Sequence, residues 1–177
     1  MNKPLIGVLL LSSAFLSGCT SMSPEECQVA NWQTIGYNDG KAGFDQSPLN
    51  DYIKDCGDAG FSVNKEAWQH GQQLGNKVYC APENGYRVGV AGETYRGVCA
   101  NEQFVKQYTL GYEVYERKQR LKEIKTELDD IDRQLKNSDN LDSDTRKYLQ
   151  EKRKQLANER TTLLRKPSNT YQFSFEL

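Results

Sequence analysis

Twelve of the fourteen glycines fall between Gly36 and Gly111, and none follows Gly111. Glycine weakens a helix interior but serves tight turns and close backbone approach. The distribution therefore splits the chain into a close-packed first half and a continuous helical second half. In the first half the glycines recur at helical spacing beside aromatic rings, as Trp32-x3-Gly36-x3-Gly40, Trp68-x2-Gly71-x3-Gly75-x3-Tyr79 and Tyr108-x2-Gly111-x3-Tyr115. This is a weak internal similarity. Glycines at i and i+4 open a notch on one helix face, into which a second helix or a ring can press. Helix packing under covalent constraint is the simpler reading. A binding surface lined by Trp32, Trp68 and Tyr108 is the sharper one. Gly-x3-Gly association of the membrane type needs a long apolar helix, and these segments are too polar for it.

The start of the chain sets the compartment. Lys3 precedes an apolar run from Pro4 to Leu11 and then small residues, which is the layout of a secretory signal. The run is shorter than the roughly 20 residues a spanning helix needs. It ends in Leu16-Ser17-Gly18-Cys19, which resembles the lipobox of bacterial lipoproteins. That resemblance implies cleavage before Cys19, a diacylglyceryl group on its sulfur and an acyl chain, palmitate being typical, on its amine. Thr20 stands where an acidic residue would favour inner-membrane retention, so the resemblance points to the outer membrane, with the protein anchored by lipid and facing the periplasm. Residues 1–18 are then the signal and 19–22 a short tether.

With Cys19 set aside, Cys27, Cys56, Cys80 and Cys99 remain, an even number in an oxidising compartment. Four cysteines allow three pairings, and their order along the chain favours Cys27 with Cys56 and Cys80 with Cys99. Each bond would stabilise the fold by roughly 3 to 4 kcal/mol in the chain-entropy model. Zinc is a poor alternative, since no two cysteines are separated by two residues and His70 is the only histidine; no metal and no cofactor beyond the lipid is expected.

Residues 23–112 are expected to form a Cys/Gly-rich globular base. Ser23-Pro24-Glu25-Glu26 reads as a capping box opening a helix that runs to about Gly43. Ser47-Pro48 begins a loop, and Cys56 to Gly60 a turn. Asn64 caps a second helix, Lys65 to about Tyr79, and a third starts after Asn101. Between them, Pro82, Asn84-Gly85 and the spaced glycines predict irregular extended segments closed by Cys80 and Cys99. Neither Asn84-Gly85 nor Gly89-x2-Gly92 has the Lys-Ser/Thr or the strand-turn-helix setting of a phosphate loop.

Residues 113–166 form the second half. Leu121, Ile124, Leu128, Ile131 and Leu135 alternate spacings of three and four, a heptad seam. After Asn137-Ser138-Asp139-Asn140, Asp142 or Ser143 caps a second helix with Leu149, Leu156 and Leu163 spaced by sevens. So short a turn makes an antiparallel helical hairpin, each arm about 30 to 35 Å long. One seam alone is marginal, so the hairpin should lean on the base, a second copy or a partner helix. Residues 167–177 end in Tyr171-Gln172-Phe173-Ser174-Phe175-Glu176-Leu177, whose alternation reads as one strand. The fold class is thus mainly α: a disulfide-stapled helical base with irregular extended segments, a hairpin arm and a short C-terminal strand.

Cys27, Trp32-x3-Gly36-x2-Asp39-Gly40-x2-Gly43, Cys56, Trp68-x2-Gly71-x3-Gly75, Tyr79-Cys80-x-Pro82-x-Asn84-Gly85, Gly89-x2-Gly92-x2-Tyr95-x3-Cys99, Phe104 and Tyr108-x2-Gly111 together resemble a family of small Gram-negative envelope lipoproteins with a domain of unknown function. The resemblance covers about Cys27 to Tyr115. It implies the compartment and the domain boundary, and carries no catalytic residues.

No catalytic residue is expected. His70 sits among glutamines on a polar helix face, and Asp39, Asp55 and Asp58 suit capping or solvation. A net charge of −1 offers nothing to nucleic acid. The expectation is a non-enzymatic, membrane-anchored lipoprotein whose hairpin meets an envelope protein or a second copy. The alternative is a peptidoglycan or glycan-binding module using the aromatic residues of the base.

Overall fold

Side-chain caps punctuate the chain much as its sequence suggests. The computed structural model describes residues 22–137 and 141–165, which form seven helices and no strand. Ser23 and Glu26 exchange hydrogen bonds in a capping box at the start of α1, Pro24–Val29. Asn31 caps α2, Trp32–Lys41, accepting from the Thr34 N–H at 3.0 Å. Asn64 caps α4, Lys65–Tyr79, in the same way, and Asn101 caps α6, Glu102–Lys136. The single opening helix expected to run to Gly43 is therefore two. Extended backbone at Ala30 and Asn31 breaks it, and Asn31 starts a new cap.

Two further helices replace segments expected to be irregular. Ser47–Asp58 is α3: Asp45 accepts from the Ser47 N–H at 2.9 Å, Pro48 lies in the first turn, and Leu49, Tyr52 and Cys56 are buried along one face. Pro82–Ala91 is α5, with Pro82 in its first turn and Gly85, Val88 and Gly89 buried. Proline in a first helical turn removes a donor that has no intrahelical partner anyway. The extended segments expected between Cys80 and Cys99 give way to this helix. The strand expected at Tyr171 to Leu177, and the lipobox with Cys19, lie outside the described residues.

Glycine sets how closely the helices approach. In α2 and α4, a Cβ built on Gly36 would lie 2.8 Å from the Trp68 carbonyl carbon and closer still to its oxygen. One on Gly71 would lie 2.8 Å from the Tyr37 nitrogen, and one on Gly75 2.9 Å from the Gly40 carbonyl carbon. The obstacles are backbone atoms, so the glycines are what let these two helices touch.

The same construction recurs in α5 and α6. Gly36, Gly40 and Gly43 are matched in spacing by Gly85, Gly89 and Gly92, and Trp68, Gly75 and Tyr79 by Phe104, Gly111 and Tyr115. The contacts repeat with the spacing: Gly85 abuts the Phe104 carbonyl as Gly36 abuts that of Trp68, and Gly111 abuts Tyr86 as Gly75 abuts Tyr37. Gly43 and Gly92 end α2 and α5 in the left-handed region, at φ +78° and +72°, under the rings of Tyr79 and Tyr115. In both turns the following N–H reaches back five residues, Phe44 to the Asp39 carbonyl and Glu93 to that of Val88, as in a Schellman motif. The base is thus two copies of one glycine-notched helix pair.

Each copy has its own disulfide and its own core. Cys27 pairs with Cys56 (Cα–Cα 5.6 Å) and Cys80 with Cys99 (5.4 Å). The first core gathers Cys27, Trp32, Leu49, Tyr52, Cys56 and Trp68, the second Tyr79, Val88, Cys99 and Phe104. Tyr79 belongs to α4 yet packs on Phe104 with ring centroids 5.2 Å apart, which joins the two copies.

The arm continues the base without a break. α6 is 35 residues long: Phe104 and Gly111 are buried in the base, and Ile124 and Ile131 in the arm, so one helix runs through both halves. α7, Ser143–Arg165, returns antiparallel with Leu149 and Leu156 closing the seam, flanked by Leu128, Leu135, Leu141 and Leu163. None of the described helices is long and apolar enough to cross a membrane.

Candidate functional site

Trp68 projects from α4 behind Gly36 and is completely buried. Its indole N–H donates to Asp39 Oδ2 at 2.8 Å, and the Tyr52 hydroxyl donates to the other oxygen of Asp39 at 3.3 Å. Burial pushes the Asp39 carboxyl above its ordinary value, and the two donors partly offset the shift. Tyr52, desolvated and beside that carboxyl, is pushed up to about 12 and so remains a donor. Trp32, 8% exposed, packs on the Tyr52 ring at 5.9 Å. Next to this group, buried Gln72 donates to the carbonyls of Phe44 and Asp45 at 3.1 and 2.8 Å, tying down the turn after Gly43. The arrangement satisfies buried polar groups and holds α2, α3 and α4 together.

Tyr108 lies elsewhere. It belongs to the second copy, where its hydroxyl donates to the Glu93 carbonyl at 3.0 Å and its ring sits 5.4 Å from Tyr95 and 5.6 Å from Tyr112. Trp32, Trp68 and Tyr108 therefore do not line one surface, and the aromatic binding groove expected from their spacing is not formed. The notches at Gly36, Gly40, Gly71 and Gly75 are filled by helix backbone, and both indoles are buried. A stacking platform for sugars needs an exposed ring face, which neither tryptophan has.

The acidic residues and the histidine are also placed. Asp39 sits inside α2 rather than at a cap, Asp55 accepts from the Met22 N–H at 3.1 Å, Asp58 ends α3, and His70 is exposed on α4. No group of three or more His, Cys, Asp or Glu side chains among the described residues could hold a metal ion.

The arm and a groove on the base face outward. Arg120 of α6 reaches across to Glu159 of α7 with two hydrogen bonds, 2.7 and 2.9 Å, and also contacts Glu127 at 3.0 Å and Glu123 at 3.2 Å. These carboxylates raise the Arg120 guanidinium further, and Arg120 in turn lowers Glu159. Lys152 to Glu127 at 3.6 Å and Arg153 to Asp132 at 2.6 Å complete the pairing across the hairpin. Apart from exposed Tyr148 and Leu164, the outward residues of α7 are polar, charged or small. On the base, an open groove of about 440 Å³ is lined by Gln73, Asn76, Lys77, Cys80, Val98 and Ala100. The Asn76 side-chain oxygen is buried in the protein without a hydrogen-bond donor.

Comparison with known proteins falls on the base alone. Residues 31–113 match the model of a family described as a protein of unknown function, DUF2799. The match opens at the α2 cap and closes inside α6, so it takes in both glycine-notched pairs and leaves out the arm. No curated protein and no solved structure matches the chain.

Proposed function

We propose that the chain is a lipid-anchored envelope protein of the outer membrane with a non-enzymatic, scaffolding role. Cys19 carries the lipid, the duplicated base sits a few residues from the bilayer, and the hairpin is offered to an envelope protein. The observation that carries this reading is the continuity of α6. One helix is locked into the base at Phe104 and Gly111 and carries the arm at Ile124 and Ile131, so the arm is held out at a fixed angle. Over its 35 residues α6 is about 50 Å long. The character of the arm favours a partner bound through charge, because its apolar seam is already occupied by its own second helix. Residues 113–166 hold fifteen basic and twelve acidic side chains, so binding weakens with salt.

The test places a photo-crosslinking amino acid at exposed Lys147 or Lys154 of α7 in living cells. A discrete adduct with another envelope protein is expected, and it should disappear when Cys19→Ala releases the chain from the membrane fraction. Absence of any adduct, or membrane fractionation unchanged in Cys19→Ala, counts against the proposal.

A further inference from the structure

The base leaves a groove of mixed character uncovered where α6 begins. Cys80, Val98 and Ala100 form its apolar wall, and Gln73, Asn76 and Lys77 its polar one. Outside the groove, Leu74 and Val78 of α4 are 37% and 48% exposed, and Val105, one turn into α6 from Asn101, is 38% exposed. Apart from Val29, these are the large exposed aliphatics of the base.

We infer that residues 166–177 of this chain fill the groove. α7 runs back along α6 until Leu163 lies beside Glu113, Glu116 and Arg117. From Glu113 to Asn101 is about 18 Å along the helix. The twelve residues beyond Arg165 span up to about 40 Å when extended, so roughly half of that length remains after the groove is reached. That remaining half is Tyr171 to Leu177, in which Tyr171, Phe173, Phe175 and Leu177 share one face of an extended chain. This face supplies an apolar cover for Cys80, Val98 and Ala100. Glu176 arrives with a charge opposite to that of Lys77. The occupant is the chain's own end rather than a second copy, because α7 already carries it toward the groove within its own length.

The test uses the full chain in detergent at low concentration, with benzoylphenylalanine in place of Phe173. Irradiation should yield an intramolecular adduct mapping to residues 73–81 or 98–105. Ala100→Arg, which fills the groove from an exposed position, should abolish the adduct while leaving helicity and both disulfides unchanged. Deleting residues 171–177 should speed amide exchange across residues 98–106. Adducts on the arm, adducts between two copies, no adduct at all, an adduct indifferent to Ala100→Arg, or exchange unaltered by the deletion would each overturn the inference.

Discussion

Gly36 and Gly57 are both helical glycines, and replacing each with alanine separates two effects of glycine. A Cβ on Gly57 of α3 meets nothing within 4 Å. Gly57→Ala therefore collects only the helix-propensity gain, about 0.5 to 1 kcal/mol. On Gly36 the same Cβ sits 2.8 Å from the Trp68 carbonyl carbon and closer to its oxygen, whereas carbon and carbonyl oxygen ordinarily approach to about 3.3 Å or more. The helices must part by roughly 1 Å, and Gly40, Gly71 and Gly75 on the same interface lose contact with it. Overpacking of this kind costs about 1 to 3 kcal/mol, occasionally more, and the obstacle here is backbone, which cannot swing aside. After the propensity gain, Gly36→Ala should lose about 1 to 2 kcal/mol, so the two variants should differ by about 2 to 3 kcal/mol. At about 4 to 8 °C per kcal/mol for a domain of this size, that is on the order of 10 °C in melting temperature. Urea unfolding with disulfides intact, followed by tryptophan emission, reads the first copy directly, because Trp32 and Trp68 are the chain's two tryptophans. Gly36→Ala as stable as the wild type, or Gly57→Ala as damaging as Gly36→Ala, would refute the close-approach reasoning.

Two further perturbations follow from the same unit. Replacing Cys27 and Cys56 together by alanine opens a loop with a sequence separation of 29 and should lower stability by about 3 to 4 kcal/mol; the same urea titration checks it, and an unmoved midpoint would contradict it. Asp39 has a raised carboxyl pKa, so above its ordinary value of 3.8 the folded chain keeps a proton that the unfolded chain has lost. Stability through this group accordingly falls as pH rises through that window. Asp39→Asn, which still accepts from Trp68, should be more stable relative to the wild type at neutral pH than below pH 3.8; the urea midpoint of the variant minus that of the wild type measures it, and a value that falls on raising the pH would contradict it.

The legible parts of the sequence were those with local causes. Ser23, Asn64 and Asn101 each accept from an N–H two or three residues on, which is a relation within one turn; the like cap at Asn31 was hidden because the segment around it read as one continuous helix. The heptads of the arm likewise show their seam without reference to anything distant. α3 and α5 were missed because Pro48, Pro82 and Asn84-Gly85 read as breaks. Their buried faces, Leu49, Tyr52 and Cys56 in one and Gly85, Val88 and Gly89 in the other, carry helical spacing that glycine and proline mask. The fate of the tryptophans was open for a different reason. Whether a glycine notch holds a ligand or a neighbouring backbone depends on which helices pair, and Gly36 meets Trp68 across 32 residues. Asp39 reaches the same indole across 29. No window of a few residues contains such a relation.

The duplicated base also bears on how the protein acquires its covalent form. The two cysteine pairs occupy successive stretches of chain, 27–56 and then 80–99, with no overlap. A chain emerging amino-terminus first presents Cys27 and Cys56 to each other before Cys80 is available, and the first helix pair is complete by Tyr79. Order of appearance and native pairing therefore coincide, so oxidation in sequence makes the correct bonds without passing through a mispaired form that must be reshuffled. A crossed pattern of the same four cysteines would require the first thiol to wait.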